Sequence, residues 1–170
     1  ENGVQNITLN VETATIQAVE EVQEAVVSVI NLVESRGNIF GFAIPQSETA
    51  EDDYISNGTG SGVIYKVEGD LAYVVTNNHV IDGADALEVM MKDGTKKEAQ
   101  VVGSDVWTDL AVLTIPAEDI EVVAEFGNSD DLKVGEPAIA IGSPLGTEFA
   151  TSVTQGIVSA TERTVETDID

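Results

Sequence analysis

The feature that most limits what this chain can fold into is a succession of short, β-branched apolar runs, each closed by a polar turn. Residues 25–33 form the first run, with Val26, Val27, Val29, Ile30, Leu32 and Val33. Residues 62–67 and 71–76 flank Glu68-Gly69-Asp70 and read as a β-hairpin. After Asp82-Gly83-Ala84-Asp85 come residues 87–91, the turn Lys92-Asp93-Gly94-Thr95, and residues 97–103; residues 110–115 follow. Six short strands joined by tight turns predict an antiparallel barrel or sandwich rather than alternating β/α units.

The flanks carry different signals. From Thr13 onward, Ile16, Val19, Val22, Val26 and Val27 fall at helical spacing with Glu20, Glu21 and Glu24 between them, which predicts a short amphipathic helix leading into the first strand. Between residues 34 and 58 the pattern dissolves. Gly37, Gly41, Pro45, Ser47, Thr49 and the acids Glu48, Glu51, Asp52 and Asp53 mark a long loop, a kind that is uncommon without a functional reason. Phe40, Phe42 and Ile44 give it something apolar to dock, such as another copy of the chain. Past the connector 116–126, residues 136–141 and 152–161 read as two further strands around the turn Gly142-Ser143-Pro144-Leu145-Gly146. Two strands cannot bury a core of their own. The chain therefore divides into an N-terminal segment with a helix (1–24), a first barrel (25–120), and a connector with an incomplete second unit (121–170).

Charge narrows the partners. With 31 acidic against 7 basic residues, the formal net charge is −24. Such a surface repels nucleic acid and anionic membrane, which excludes both as partners. It could draw basic substrates, it fits a plainly solvated surface, and it is compatible with a salt-rich habitat. The absence of cysteine excludes disulfides, thiolate metal sites and cysteine nucleophiles together. No stretch approaches the roughly 18 apolar residues of a membrane helix. A chain opening at Glu1 reads as a processed or excised soluble segment, whose targeting sequence, if it had one, has been removed.

Two residues stand out for chemistry. His79, the single histidine, lies in Thr76-Asn77-Asn78-His79-Val80-Ile81 at the end of the third apolar run. Asp109 lies in Trp107-Thr108-Asp109-Leu110 at the start of the last run of the barrel. Hydrolysis by an activated serine needs an imidazole to take the serine proton, and a carboxylate to fix its tautomer. Histidine before aspartate is the start of one of the known chain orders for that trio. Each residue alone also reads as an ordinary loop residue, so both readings stand at this point. Gly58-Thr59-Gly60-Ser61-Gly62 lacks the lysine of a phosphate-binding loop, and Val63 replaces the third glycine of a dinucleotide fingerprint. The same segment lacks the glycines of a nucleophile elbow. One histidine, no cysteine and no calcium-loop spacing leave no metal site, and no cofactor is expected.

Taken together, several segments resemble the HtrA (Deg-type) trypsin-like serine proteases. They are Gly60-Ser61-Gly62-Val63-Ile64, Val74 through Ile81, Thr108-Asp109-Leu110-Ala111-Val112-Leu113, Gly127-Asn128-Ser129 with Val134-Gly135-Glu136, Ile141 through Gly146, and Val153-Thr154-Gln155-Gly156-Ile157-Val158-Ser159. They follow the family's order and spacing from about Ala25 onward. The resemblance implies an all-β, chymotrypsin-like double β-barrel, the first barrel complete and the second truncated. It implies His79 as general base and Asp109 as its orienting partner. It also implies unfolded or misfolded polypeptide as substrate, a homo-oligomer (a trimer), an extracytoplasmic location (cell surface, periplasmic or secreted), and a parent that is membrane-anchored outside this segment. Residues 12–24 correspond to the family's N-terminal helix, and residues 34–58 to the long loop that reaches toward neighbouring subunits or active sites.

One departure is large. The family's nucleophile sits in a Gly-Asn-Ser-Gly-Gly turn whose amides also build the oxyanion hole. Ser28, Ser35, Ser47, Ser61, Ser129, Ser143, Ser152 and Ser159 all lack that context. The expectation is a serine endopeptidase segment that carries two triad residues and is inactive alone, its nucleophile and C-terminal PDZ domain lying beyond Asp170. The alternative is a non-catalytic β-barrel module that binds peptides or partners.

Overall fold

The computed structural model describes residues 11–34, 54–143 and 152–161. Helix α1 (Val11–Val22) passes through one 3₁₀ turn, Gln23–Ala25, into β1 (Val26–Glu34). Then come β2 (Tyr54–Glu68), β3 (Leu71–Thr76), the one-turn helix α2 (Asn78–Ile81), β4 (Ala86–Met90), β5 (Lys96–Asp105) and β6 (Leu110–Pro116). Strands β7 (Pro137–Gly142) and β8 (Ser152–Ile157) complete the described elements.

The first six strands close into an antiparallel barrel in the order β1-β2-β3-β6-β5-β4, with β4 pairing back onto β1. Closure leaves the ladder without an unpaired edge. Period-2 alternation fills the interior: Ala72 and Val74 on β3, Leu87 and Val89 on β4, and Ala111, Leu113 and Ile115 on β6 are buried. Gly62 has no space for a side chain, because a Cβ there would lie 2.8 Å from Val74 and 2.9 Å from Val29. Strand β1 breaks the alternation, with every residue from Val26 to Asn31 buried. Val27 and Val29 join the apolar core. The alternate face is covered where Ser28 meets Ser143, at the end of β7.

That contact joins the two sheets. The buried Ser28 hydroxyl donates to the Ser143 carbonyl at 3.0 Å and shares a second hydrogen bond with the Ser143 hydroxyl. The Ser143 N–H donates to Ser61 Oγ at 2.8 Å. Strands β7 and β8 form an antiparallel pair from Pro137↔Ile157 to Gly142↔Ser152. All of β8 is exposed.

The structure departs from the sequence reading in two places. The reading left residues up to 58 as loop, but β2 begins at Tyr54, because Tyr54, Ile55 and Ser56 pair with Glu34, Val33 and Leu32. This end of the ladder projects past the core into solvent, so it carries no apolar alternation to read. Strand β8 stops at Ile157, where Pro137 ends its partner strand. Past the end of β3, where the sequence reading set it, His79 lies in α2, whose Val80 and Ile81 pack against the barrel core. Phe40, Phe42 and Ile44, and the turn residues after Ser143, lie outside the described residues.

Candidate active site

Two chain reversals build the site. At the end of β3, Thr76 is buried and its hydroxyl donates to the Ser61 carbonyl at 2.8 Å, which pins the strand end to β2. The chain then winds once: the Val80 N–H reaches the Asn77 carbonyl at 3.2 Å, and the Asp82 N–H reaches the Asn78 carbonyl at 3.1 Å. Gly60 lets β2 pass directly beneath this turn, since a Cβ at Gly60 would fall 2.4 Å from a Val80 methyl.

The second reversal is the β5–β6 connection. Asp105 accepts from the Trp107 N–H (3.0 Å) and the Thr108 hydroxyl (2.9 Å), curling the loop over its own start. Asp109 then adopts φ 52°, the left-handed region that aspartate tolerates better than most residues. From there it meets α2.

Asp109 becomes the hub of the site. Its Oδ2 lies 2.7 Å from His79 Nδ1, and its Oδ1 accepts the His79 backbone N–H at 2.9 Å. Its main-chain carbonyl accepts from the Asn78 N–H at 3.1 Å and from Asn77 Nδ2 at 3.0 Å. Asn77 Nδ2 also approaches Oδ2 at 3.3 Å. The His79 N–H is the main reason the Asp109 carboxyl is held below the usual aspartate range. The bond to the ring acts the same way; desolvation opposes both, and the ring's charge and the Asn77 amide add smaller effects in the lowering direction.

This arrangement has one chemical consequence. An ionised carboxylate on Nδ1 keeps the proton on that nitrogen and leaves the Nε2 lone pair free to accept another. The imidazole side chain is 71% exposed, so a proton donor can reach Nε2 from solvent. The structure thus brings together the two residues singled out by sequence. The sequence reading gave no role to Asn77, Asn78 or the backbone N–H of His79. Asn77 and Asn78 were visible beside His79, but their link to Asp109 spans about thirty residues of chain and has no local signal.

The serines are placed elsewhere. Ser28, Ser61 and Ser143 are tied into the contact between the sheets. Ser129 opens a 3₁₀ turn, Ser152 starts β8 and Ser159 follows it. Ser56 and Ser104, which the sequence reading passed over, lie exposed on β2 and β5. Ser35 and Ser47 are outside the described residues.

Known proteins resemble this chain in sequence and fold. Residues 60–170 match the trypsin-like peptidase domain. Among curated relatives, the serine protease Do-like HtrA of Lactococcus lactis is 47% identical over 95% of this chain and 41% of its own length. The HtrA protein of Bacillus subtilis is 49% identical over 86% of this chain and 32% of its own. A probable periplasmic serine endoprotease, DegP-like, of Marinomonas is 50% identical over 64% of the chain and 22% of its own length. The crystal structure of the serine endoprotease from Yersinia pestis superposes with a TM-score of 0.62 at 36% identity, over 85% of this chain and 44% of that one. The chain thus spans less than half the length of each of these relatives. It belongs to the trypsin-like peptidase domain family, and within it to the HtrA (Deg-type) serine endopeptidases.

Proposed function

We propose that these residues supply the base half of a serine endopeptidase site: His79 as general base and Asp109 as the carboxylate that orients it. The observation that carries this reading is the double grip of Asp109 on His79, through ring and backbone together. Nε2 takes the proton of a serine hydroxyl as that oxygen attacks the peptide carbonyl. The resulting imidazolium is stabilised by Asp109 and returns the proton to the leaving amine. No serine of this chain stands in a Gly-Asn-Ser-Gly-Gly turn, so nucleophile and oxyanion donors are assigned to sequence outside residues 1–170. The first barrel (25–120) then carries the base, and the unit beginning in 121–170 belongs to the half that carries the nucleophile.

The substrate is polypeptide, and in this reading it is exposed or misfolded chain, cleaved in protein quality control. Assembly as a homo-oligomer, a trimer, and an extracytoplasmic location belong to the same reading, supported by the HtrA likeness and by the periplasmic name of one relative. Among the described residues, no helix is long and apolar enough to cross a membrane.

Fluorophosphonate labelling of the 170-residue chain, read by intact mass, tests the assignment of the nucleophile. No adduct is expected; an adduct on any serine of the chain overturns it. In the longer gene product that contains these residues, His79→Ala should abolish hydrolysis of unfolded protein. Undiminished hydrolysis would remove His79 from the mechanism. Binding without cleavage by the unmutated product would favour a peptide-binding module.

A further inference from the structure

The barrel places one polar side chain where its own packing calls for an apolar one. Asn31 shares a strand face with Val27 and Val29 and is 3% exposed. It sits at the mouth of the barrel, opposite Gly58 on β2 and Leu87 on β4, with the β1–β2 register shifting just after it. Its Nδ2 donates to the Val80 carbonyl at 3.0 Å and to the Asp82 carbonyl at 2.9 Å. Its Oδ1 is buried with no hydrogen-bond partner among the described residues.

This pattern is informative. A one-turn helix leaves its last carbonyls without partners inside the helix. Asn31 supplies both N–H groups of one amide to two such carbonyls, on either side of Ile81. Rotating the amide would set its oxygen against two carbonyl oxygens, so the partners fix its orientation. The buried, unpartnered Oδ1 is a cost that an apolar side chain would avoid. What the amide secures lies outside the barrel: the turn that carries His79.

We propose that Asn31 is a positioning residue for the catalytic base. Its amide clamps the C-terminal end of α2, so that the His79 N–H and ring stay on the two carboxylate oxygens of Asp109. Gly60 sets the floor of the same seat through Val80, and Asn31 sets its far end. With both in place, α2 cannot slide along the barrel mouth, and the imidazole keeps one approach to solvent. This inference rests on the catalytic reading above. It predicts an effect on kcat rather than on binding, because Asn31 is buried and offers almost no surface for contact.

The test has a structural arm and a kinetic arm. In the 170-residue chain, the side-chain NH₂ of Asn31 should exchange with solvent far more slowly than that of exposed Asn57, and exchange at the rate of Asn57 would overturn the clamp. Asn31→Leu keeps the volume and removes both donors. The His79 amide proton, bonded to Asp109 Oδ1 and so expected to respond to its protonation, should move upfield and lose its response to acid while the β3 and β6 amides keep their shifts. An unchanged His79 amide in a folded Asn31→Leu chain sinks the proposal. Should Asn31→Leu fail to fold, Asn31→Ser, which keeps one donor, carries the same comparison and should give an intermediate shift.

In the longer gene product, Asn31→Leu should lower kcat roughly 10- to 100-fold with KM within about twofold, the scale of a displaced catalytic group. Full activity of Asn31→Leu beside an inactive His79→Ala overturns the positioning role. Full activity of His79→Ala instead overturns the catalytic reading itself, which separates the two failures.

Discussion

Asp109 holds His79 by two different atoms of the same residue: Oδ2 lies 2.7 Å from the ring Nδ1, and Oδ1 lies 2.9 Å from the backbone N–H. A ring bond alone would orient the imidazole but leave the backbone that carries it free to shift. Fixing the backbone beneath it as well sets both where the base stands and which nitrogen faces outward. Asp109 reaches this pose through a left-handed backbone (φ 52°), which glycine would also adopt but without a carboxylate to offer.

Replacing that carboxylate by an amide keeps its shape and removes its charge. Asp109→Asn should lower kcat in the longer gene product by about 10⁴-fold, the scale found when a triad carboxylate becomes an amide. Nitrogen NMR of the chain's single imidazole should show its proton shifting from Nδ1 toward Nε2. A retained Nδ1–H tautomer in this variant would mean that Asp109 does not set it.

The depressed carboxyls make an acid signature with a defined sign. Asp93 is held below the usual range mainly by the Thr95 N–H, and then by the Thr95 hydroxyl; Asp109 is held there by His79. A group with a depressed native pKa adds stability that is present above its unfolded pKa, about 4, and is lost as pH falls through the native value. The stability difference between wild type and Asp93→Asn should therefore be level from pH 7 to about 5 and shrink below 4. Urea titrations across that range measure it. A gap that widens in acid would reverse the sign and refute the argument.

Gly60 tests the floor of the seat. Gly60→Ala drives a methyl group into both Val80 methyls, so Val80 and the turn that carries it must give way. Overpacking of this kind costs roughly 1–3 kcal/mol. The same shift should loosen the His79–Asp109 contacts. Gly60→Ala combined with Val80→Ala, which clears the space, should recover much of the activity lost in Gly60→Ala. Activity unaffected by Gly60→Ala would show that α2 can move without disturbing the base.

Ser28 tests how the second sheet is joined to the barrel. Ser28→Ala leaves the buried Ser143 hydroxyl and carbonyl short of a partner, at a cost of about 1–3 kcal/mol. Hydrogen exchange should then speed up in β7 before it does in β3 or β6, whose bonds do not involve Ser28. Uniform acceleration across the barrel would mean that the two sheets open as one unit.

Much of this was legible along the chain. Each barrel strand carries its own alternation or apolar run, and Glu68-Gly69-Asp70 and Lys92-Asp93-Gly94-Thr95 announce their turns, because these signals come from neighbours within a few residues. The pairing of His79 with Asp109 was legible as residue types in order, and the family likeness was legible in short motifs. Tyr54 to Ser56 were not legible as strand, since only the ladder partners Leu32 to Glu34 make them one. Nor did the sequence announce that Asp109 would turn left-handed, that Val80 would rest on Gly60, or that Asn31, inside what reads as an ordinary apolar strand, would hold the turn bearing His79. Those contacts exist only once the barrel closes and its mouth brings β1, β2 and α2 together. A hydrogen bond across such a span depends on where the backbone arrives, and no local propensity encodes that.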